Sequence, residues 1–427
     1  MIGLPRSESG RRRREEAAGR PGMLHSLQTY ADFRLLMAGT LATNTAFWMY
    51  LVAVGWLALE ETDSPFFVGL AGFAGGIPVL IFSLPAGVLI DRFDGRSVLL
   101  AAQAGVMIFA LCFAGAIALD LIQPWMILLL AFLYGSAMSF VFPSRTTIVP
   151  SLVARSDLTN AVALNAATQN ATRVIGPSVS GVLIATVGIS GTFLFAALLQ
   201  VFALYASFRL PSYRRETSAR QRMNLSSLTY GFRIVAQDPF MSALLLLALA
   251  PTVLVMPYLN LMPVFARDVL DVGSGGLGLL LGATGIGTVC GALVVARSAV
   301  VQTSARTQIA TAMLFTVFVI LFALLQSFYL GLALLFLSGF MSAAWLALNQ
   351  TALQMSVSDE VRGRVLSVYL MTWGMLPFGQ LFVGTLADFV GPSTAVVVSC
   401  LFSVACVLLI RQRFGKALRD GPGVARS

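Results

Sequence analysis

Residues 158–188 read LTNAVALNAATQNATRVIGPSVSGVLIATVG, an apolar stretch of spanning length that carries Asn165, Gln169, Asn170 and Arg173 through its middle. At 100° per residue, Asn165, Gln169, Thr172, Arg173, Gly176 and Ser180 fall within an arc about 100° wide, while Ala167, Ala171, Val174, Ile175, Val179 and Val182 take much of the rest. That pattern predicts a helix with one wet face. Arg173 lies about 20 Å along such a helix, near the midplane of a bilayer. A charge there costs about 2.5 to 3.5 kcal/mol on insertion scales, so a water-filled cavity is expected to solvate it. The competing reading is a structural arginine satisfied by helix carbonyls or by neighbouring Asn and Gln side chains.

Outward from that stretch the composition is uniform. Of 427 residues, 57% are hydrophobic and 11% charged, against about 25% charged in a typical soluble domain. Apolar runs recur from Arg34 to Arg411 with short polar breaks, which predicts an all-α polytopic membrane protein and leaves no room for a soluble domain of ordinary size. The expected spans are 35–59, 67–90, 97–119, 124–144, 160–187, 190–209, 240–264, 275–297, 307–327, 329–350, 364–388 and 393–411. Twelve spans with both termini cytoplasmic put 26 of the 28 Lys and Arg on the inner side, leaving Arg267 outside and Arg173 in the membrane. The net charge of +9 is then mostly topology, and no nucleic-acid partner is read from it.

Residues 1–33 read as a disordered cytoplasmic arm, with Met23 an alternative start. Residues 34–209 form a first six-helix half, 210–238 a cytoplasmic linker, 239–411 a second half and 412–427 a cytoplasmic tail. Cys112, Cys290, Cys400 and Cys406 sit in apolar runs without metal-ligand spacing, and the one histidine is His25. No Gly-rich phosphate loop opens a helix. Neither a metal, a cofactor nor catalytic residues are expected, and the chain does not read as an enzyme.

The halves carry a repeat. Gly176, Gly181 and Gly188 match Gly379, Gly384 and Gly391 at an offset of 203 residues, and Gly87 and Leu89 match Gly291 and Leu293 at 204. An even number of helices per half makes this a parallel repeat about an axis along the membrane normal.

Between the second and third spans lies Gly87-Val-Leu-Ile-Asp91-Arg92-Phe-Asp94-Gly95-Arg96. It resembles the loop signature of the major facilitator superfamily, G-x-L-x-D-R-x-G-R-R, with a one-residue shift before Arg96. The resemblance implies that Gly87, Asp91, Arg92 and Arg96 take part in gating, latching inner helix ends in the outward-open state. Gly176-Pro177 with Gly181 resembles the G-P-x-x-G element of exporters in that superfamily; close packing and a helix-five bend are the physical expectation for these three residues. Pro143-Ser-Arg145-Thr-Thr-Ile-Val-Pro150, Asn160 to Asn165, and Asp359-Glu-Val-Arg362-Gly-Arg364 are similar to the branch that holds siderophore and macrolide efflux proteins. Ala131 stands where many drug/proton antiporters of the superfamily carry an arginine, and no Asp or Glu falls in the middle of a span.

The resemblance implies a secondary transporter in a bacterial inner membrane, exporting an amphipathic small molecule such as a drug, macrolide or siderophore by alternating access, coupled to H+. An importer or lysophospholipid translocator on the same fold, or a non-transporting membrane receptor, is the alternative. Substrate-cavity candidates are Arg173, Gln169, Asn165, Asn44, Asn260, Asn349 and Gln380; Glu60, Glu61 and Asp388 are possible coupling residues. The expected partners are the substrate, the coupling ion and membrane lipid, with the chain acting as a monomer.

Overall fold

The computed structural model describes residues 24–211, 225–297 and 305–420. Among these, eleven helices are long and apolar enough to cross a membrane. One of them, Leu158–Phe208, has 51 residues and as a single rod would reach about 75 Å, more than twice the ~30 Å hydrocarbon core. At Gly188 its backbone leaves helical dihedrals (φ 77°, ψ 178°), and the rod becomes the fifth and sixth spans. Twelve spans result, as the sequence predicts, and no strand occurs among the described residues.

The first four spans are Ala31–Thr62, Pro65–Arg92, Gly95–Ala118 and Pro124–Leu152. The seventh covers Pro239–Val269, the eighth Gly273–Arg297, the ninth Ala305–Leu325 and the tenth Phe328–Met355. The eleventh is built from Asp359–Gly374 and Leu376–Val390, and the twelfth is Pro392–Asp420. With an even number of crossings, both ends of the described chain lie at one end of the bundle, here called the basal end. The opposite, distal end holds six tight connections. Each contains a positive-φ residue, Asp63, Asp120, Gly188, Asp271, Gln326 or Gly391, and the connection after the seventh span has a second, Gly273. Helix starts are set by local chemistry. Ser64 accepts from the Phe67 amide ahead of Pro65, and Asp238 accepts from the Phe240 and Met241 amides ahead of Pro239.

The seventh span is the irregular one. Its α-helix ends at Leu254, a 3-10 turn follows at Met256–Leu259, and a π turn covers Phe265–Val269. Pro251, Pro257 and Pro263 each remove a backbone donor along this path.

The glycine repeat has a geometric meaning. Gly188 and Gly391 (φ 83°, ψ 156°) turn the fifth span into the sixth and the eleventh into the twelfth. Gly176 rests on Thr45 and Trp48 of the first span, while Gly379 rests on Val253 and Pro257 of the seventh. Gly181 meets Gly278 of the eighth span, and Gly384 meets Gly69 of the second. One pair therefore packs inside each half, the next across the halves, and the third makes the turn.

Two expectations change. The arm predicted as disordered through residue 33 is helical from His25, because Tyr30 donates to Asp157 (2.7 Å) and the Ser26 amide to Asn160 (3.1 Å); residues 1–23 lie outside the described residues. The fourth span continues eight residues past 144, to Leu152, and draws Arg145 out of the inner loop into the helix. Pro177 stays inside the helix with helical dihedrals, and the residue that leaves them in this rod is Gly188, at the boundary of the fifth and sixth spans.

Candidate transport site

Two seams join the halves, the fifth span against the eighth and the second against the eleventh. Both are closed by backbone approach, which small residues allow and which in lipid substitutes for hydrophobic drive. A β-carbon on Gly69 would lie 2.6 Å from the Gln380 carbonyl oxygen, and one on Gly285 would lie 2.8 Å from that of Arg173. Backbone contacts run from the distal end as far as Gly285 with Val174 on one seam, and on the other the Leu80 side chain lies 2.9 Å from where a β-carbon on Gly374 would be. Polar groups finish the distal closure. The Asn260 amide donates to the Val68 carbonyl (2.9 Å), Arg267 pairs with Asp63 (2.9 Å) and donates to the Leu59 carbonyl (3.1 Å), and Ser64 donates to Asp388 (2.9 Å).

Arg173 stands at mid-depth, 15 residues from both Leu158 and Gly188. Its backbone abuts Gly285 of the eighth span, and its guanidinium lies over the Trp48 ring of the first span, 5.6 Å from the centroid. The side chain is half-buried and makes no ion pair or side-chain hydrogen bond among the described residues. A cation over an aromatic face is partly compensated, by about 0.5 to 2 kcal/mol, but keeps its donors. Such a group can take a carboxylate or another oxyanion.

The wet face of this helix is narrower than its periodicity suggests. Thr172, Gly176 and Ser180 are buried, with Ser180 donating to the Met49 carbonyl (3.2 Å), so that part of the arc packs on the first span. Asn165 and Gln169 stay half-exposed basal to Arg173. Asn260 and Gln380 lie at the second span, against Gly72 and Gly76. Asn44 is buried in the first span. Asn349 does not join them: it is fully buried inside the second half, donating to the Leu244 carbonyl (3.0 Å) and paired with Gln308 (3.5 Å). An apolar pocket of about 430 Å³, lined by Leu246, Val253, Met375, Phe378, Cys406 and Leu409 among others, holds none of the polar candidates.

Glu60 and Glu61 are exposed in the last turn of the first span, and Asp388 is engaged by Ser64. At the basal end Gly87 is half-buried and Arg92 exposed; the side chain of Asp91 lies outside the described residues. Arg96 donates to the Phe208 carbonyl and lies over the Phe208 ring (5.3 Å), a contact within the first half. Asp94, the residue that shifts the loop signature, caps the third span by accepting from the Ser97 amide (3.3 Å).

Residues missed by sequence reasoning are Trp48, the Arg267–Asp63 pair and a buried cluster around Arg145. Arg267 carried a signal as the single cation on the outer side of the predicted topology, and Arg145 only as part of the Pro143–Pro150 motif. Trp48 is one aromatic in an apolar run and carried none.

The chain matches, over residues 26–419, the protein family described as transmembrane secretion effector. It is 24% identical over 353 residues to the staphyloferrin A transporter of Staphylococcus aureus, covering 81% of this chain and 86% of that protein. It is 27% identical over 352 residues to the enterobactin exporter EntS of Shigella boydii, covering 80% and 82%. Among solved structures it is similar to a bacterial homologue of the human lysosomal transporter Spinster in an inward-facing, unoccupied conformation, with a TM-score of 0.71 at 15% identity over 92% of this chain and 99% of the other. A POT family transporter superposes with a TM-score of 0.72 at 12% identity, over 90% and 96%.

Proposed function

Since the chain belongs to the transmembrane secretion effector family of the major facilitator superfamily, a membrane transporter related to siderophore exporters and transporters, we propose that it exports an anionic, siderophore-like small molecule across a bacterial inner membrane. The observation that carries this reading is Arg173: a mid-depth guanidinium at the seam between the halves, stacked on Trp48 and free of any acidic partner among the described residues. A cation so placed favours cargo that brings its own negative charge, and the indole beside it favours an aromatic or otherwise flat anion. The names of the two relatives point the same way.

With the Arg-rich basal end assigned to the cytoplasm, the closed distal end faces outward. Cargo then enters from inside, and the halves rock about the seam to release it outside. Glu60, Glu61 and Asp388 sit at the distal rim, so H+ coupling through them acts on the closure rather than at the depth of Arg173. The test is uptake of a radiolabelled catecholate or polycarboxylate siderophore into inverted membrane vesicles carrying an inward-acid proton gradient. Gradient-dependent accumulation that is lost in Arg173→Gln is expected. Accumulation only in right-side-out vesicles, or no dependence on Arg173, overturns the reading.

A further inference from the structure

Arg145 is 5% exposed, deep among the first, third, fourth and sixth spans, and forms no ion pair among the described residues. Its Nη2 donates to the Gly39 carbonyl (2.9 Å) and to Thr43 Oγ1 (2.6 Å). Thr43 Oγ1 also accepts from Gln103 Nε2 (3.4 Å), so its own proton goes to Gln200 Oε1 (3.2 Å). With Gln103 so oriented, the Gln200 amide has its NH2 turned away from Thr43. Gln103 and Gln200 are both fully buried. What remains without a partner is Arg145 Nε and Nη1 and Gln200 Nε2, all donors, against a single acceptor, Gln103 Oε1.

The second half shows what the scaffold alone requires. At the duplicated position, 204 residues on, stands Asn349, which donates to the Leu244 carbonyl of the seventh span as Arg145 donates to the Gly39 carbonyl of the first, with Gln308 beside it as Gln103 is beside Arg145. A neutral amide thus suffices for the carbonyl contact. The first half adds a full positive charge and surplus donors in a place where an uncompensated charge costs several kcal/mol.

We propose that Arg145 and Gln200 hold a small monovalent inorganic anion of chloride size inside the first half, at a site separate from Arg173. One negative charge cancels the guanidinium and accepts from Gln200 Nε2 and from one of the two open guanidinium nitrogens. A divalent anion would reverse the imbalance, and a larger organic anion would have to displace packed side chains.

The experiment is thermal unfolding of the purified full-length protein in sodium chloride, bromide or gluconate at equal ionic strength, with 36Cl equilibrium binding alongside. Wild type is expected to show a saturable rise in Tm of a few degrees in chloride and bromide over gluconate, with one chloride bound per chain. Arg145→Asn, which copies the second half, loses both responses, while Arg173→Gln keeps them. Equal Tm in all three salts, a response that survives in Arg145→Asn, or one that disappears in Arg173→Gln overturns the proposal. Should Arg145→Asn not fold, 36Cl binding to wild type and to Gln200→Leu decides: no bound chloride, or undiminished binding in Gln200→Leu, sinks it.

Discussion

Gly181 and Gly278 meet backbone to backbone across the two halves: a β-carbon on Gly181 would lie 2.6 Å from the Gly278 Cα and 2.7 Å from the Ser274 carbonyl oxygen. The second seam repeats the contact, with a β-carbon on Gly384 2.7 Å from the Gly69 Cα. Neither neighbour is a flexible side-chain tip, so bulk at these positions works directly against the distal closure. Overpacking of this kind costs about 1 to 3 kcal/mol, about a fivefold to hundredfold shift in a two-state equilibrium. Gly181→Val is therefore expected to fold, to lose most transport, and to speed labelling of a Gln380→Cys reporter by an impermeant maleimide from the distal side. Unchanged labelling together with unchanged flux would remove the seam from the gate.

The polar closure divides unequally. Asp63 is 82% exposed, and an ion pair of that kind contributes about 0 to 1 kcal/mol, so Arg267→Gln should alter transport only a fewfold, with the effect shrinking further at high salt. Asn260 is different because its amide reaches the Val68 carbonyl on the other half and packs on Gly72. Interhelical hydrogen bonds in membrane proteins reach about 0.6 to 1.7 kcal/mol. Asn260→Leu should thus slow flux more than Arg267→Gln does, read in the same vesicle assay; the reverse order would place the closing energy at the rim.

What the sequence disclosed depended on whether a residue's meaning was local. Twelve spans and the two halves were legible because hydropathy, charge sidedness and the 203-residue glycine offset each report them independently. Arg173 stood out as a charge in the middle of an apolar run. Arg145 did not, because Pro143, Ser144, Thr146 and Thr147 around it look like the end of a span, while the helix continues to Leu152. Asn349 was read as a cavity residue since its bond to Leu244 joins two helices about a hundred residues apart. The glycines could be counted, but which of them touched the other half required the partner helix.

Arg173 and Trp48 together predict a graded series. Removing the charge in Arg173→Gln takes away the group that answers the cargo's anion, and loss of a charge-assisted bond of about 1.5 to 3 kcal/mol lowers apparent affinity at least tenfold. Arg173→Lys keeps the charge but not the planar fork, so an intermediate loss is expected. Trp48→Leu retains bulk and removes the aromatic face, costing about 0.5 to 2 kcal/mol of support for the guanidinium. Competition binding with the labelled siderophore checks the order wild type, Trp48→Leu or Arg173→Lys, then Arg173→Gln; equal affinity in all four would leave Arg173 a structural residue.

The six distal turns separate two kinds of left-handed residue, and substitution should tell them apart. Asp63 sits at φ 49°, ψ 25°, a conformation that Asn shares with little strain. Gly188 and Gly391 combine φ of 77° and 83° with ψ of 178° and 156°, a region open essentially to glycine alone. Neither glycine has an atom within 4 Å of where a β-carbon would go, so any penalty there comes from the backbone and not from crowding. Asp63→Asn is accordingly expected to lose no more than the exposed Arg267 pair, about 0 to 1 kcal/mol. Gly188→Ala and Gly188→Asn should each lose about 1 to 3 kcal/mol, with Asn giving no rescue, and Gly391→Ala should match Gly188→Ala. Thermal unfolding in detergent reads all four. A Gly188→Asn protein as stable as wild type would mean that the fifth and sixth spans can join through an ordinary left-handed turn.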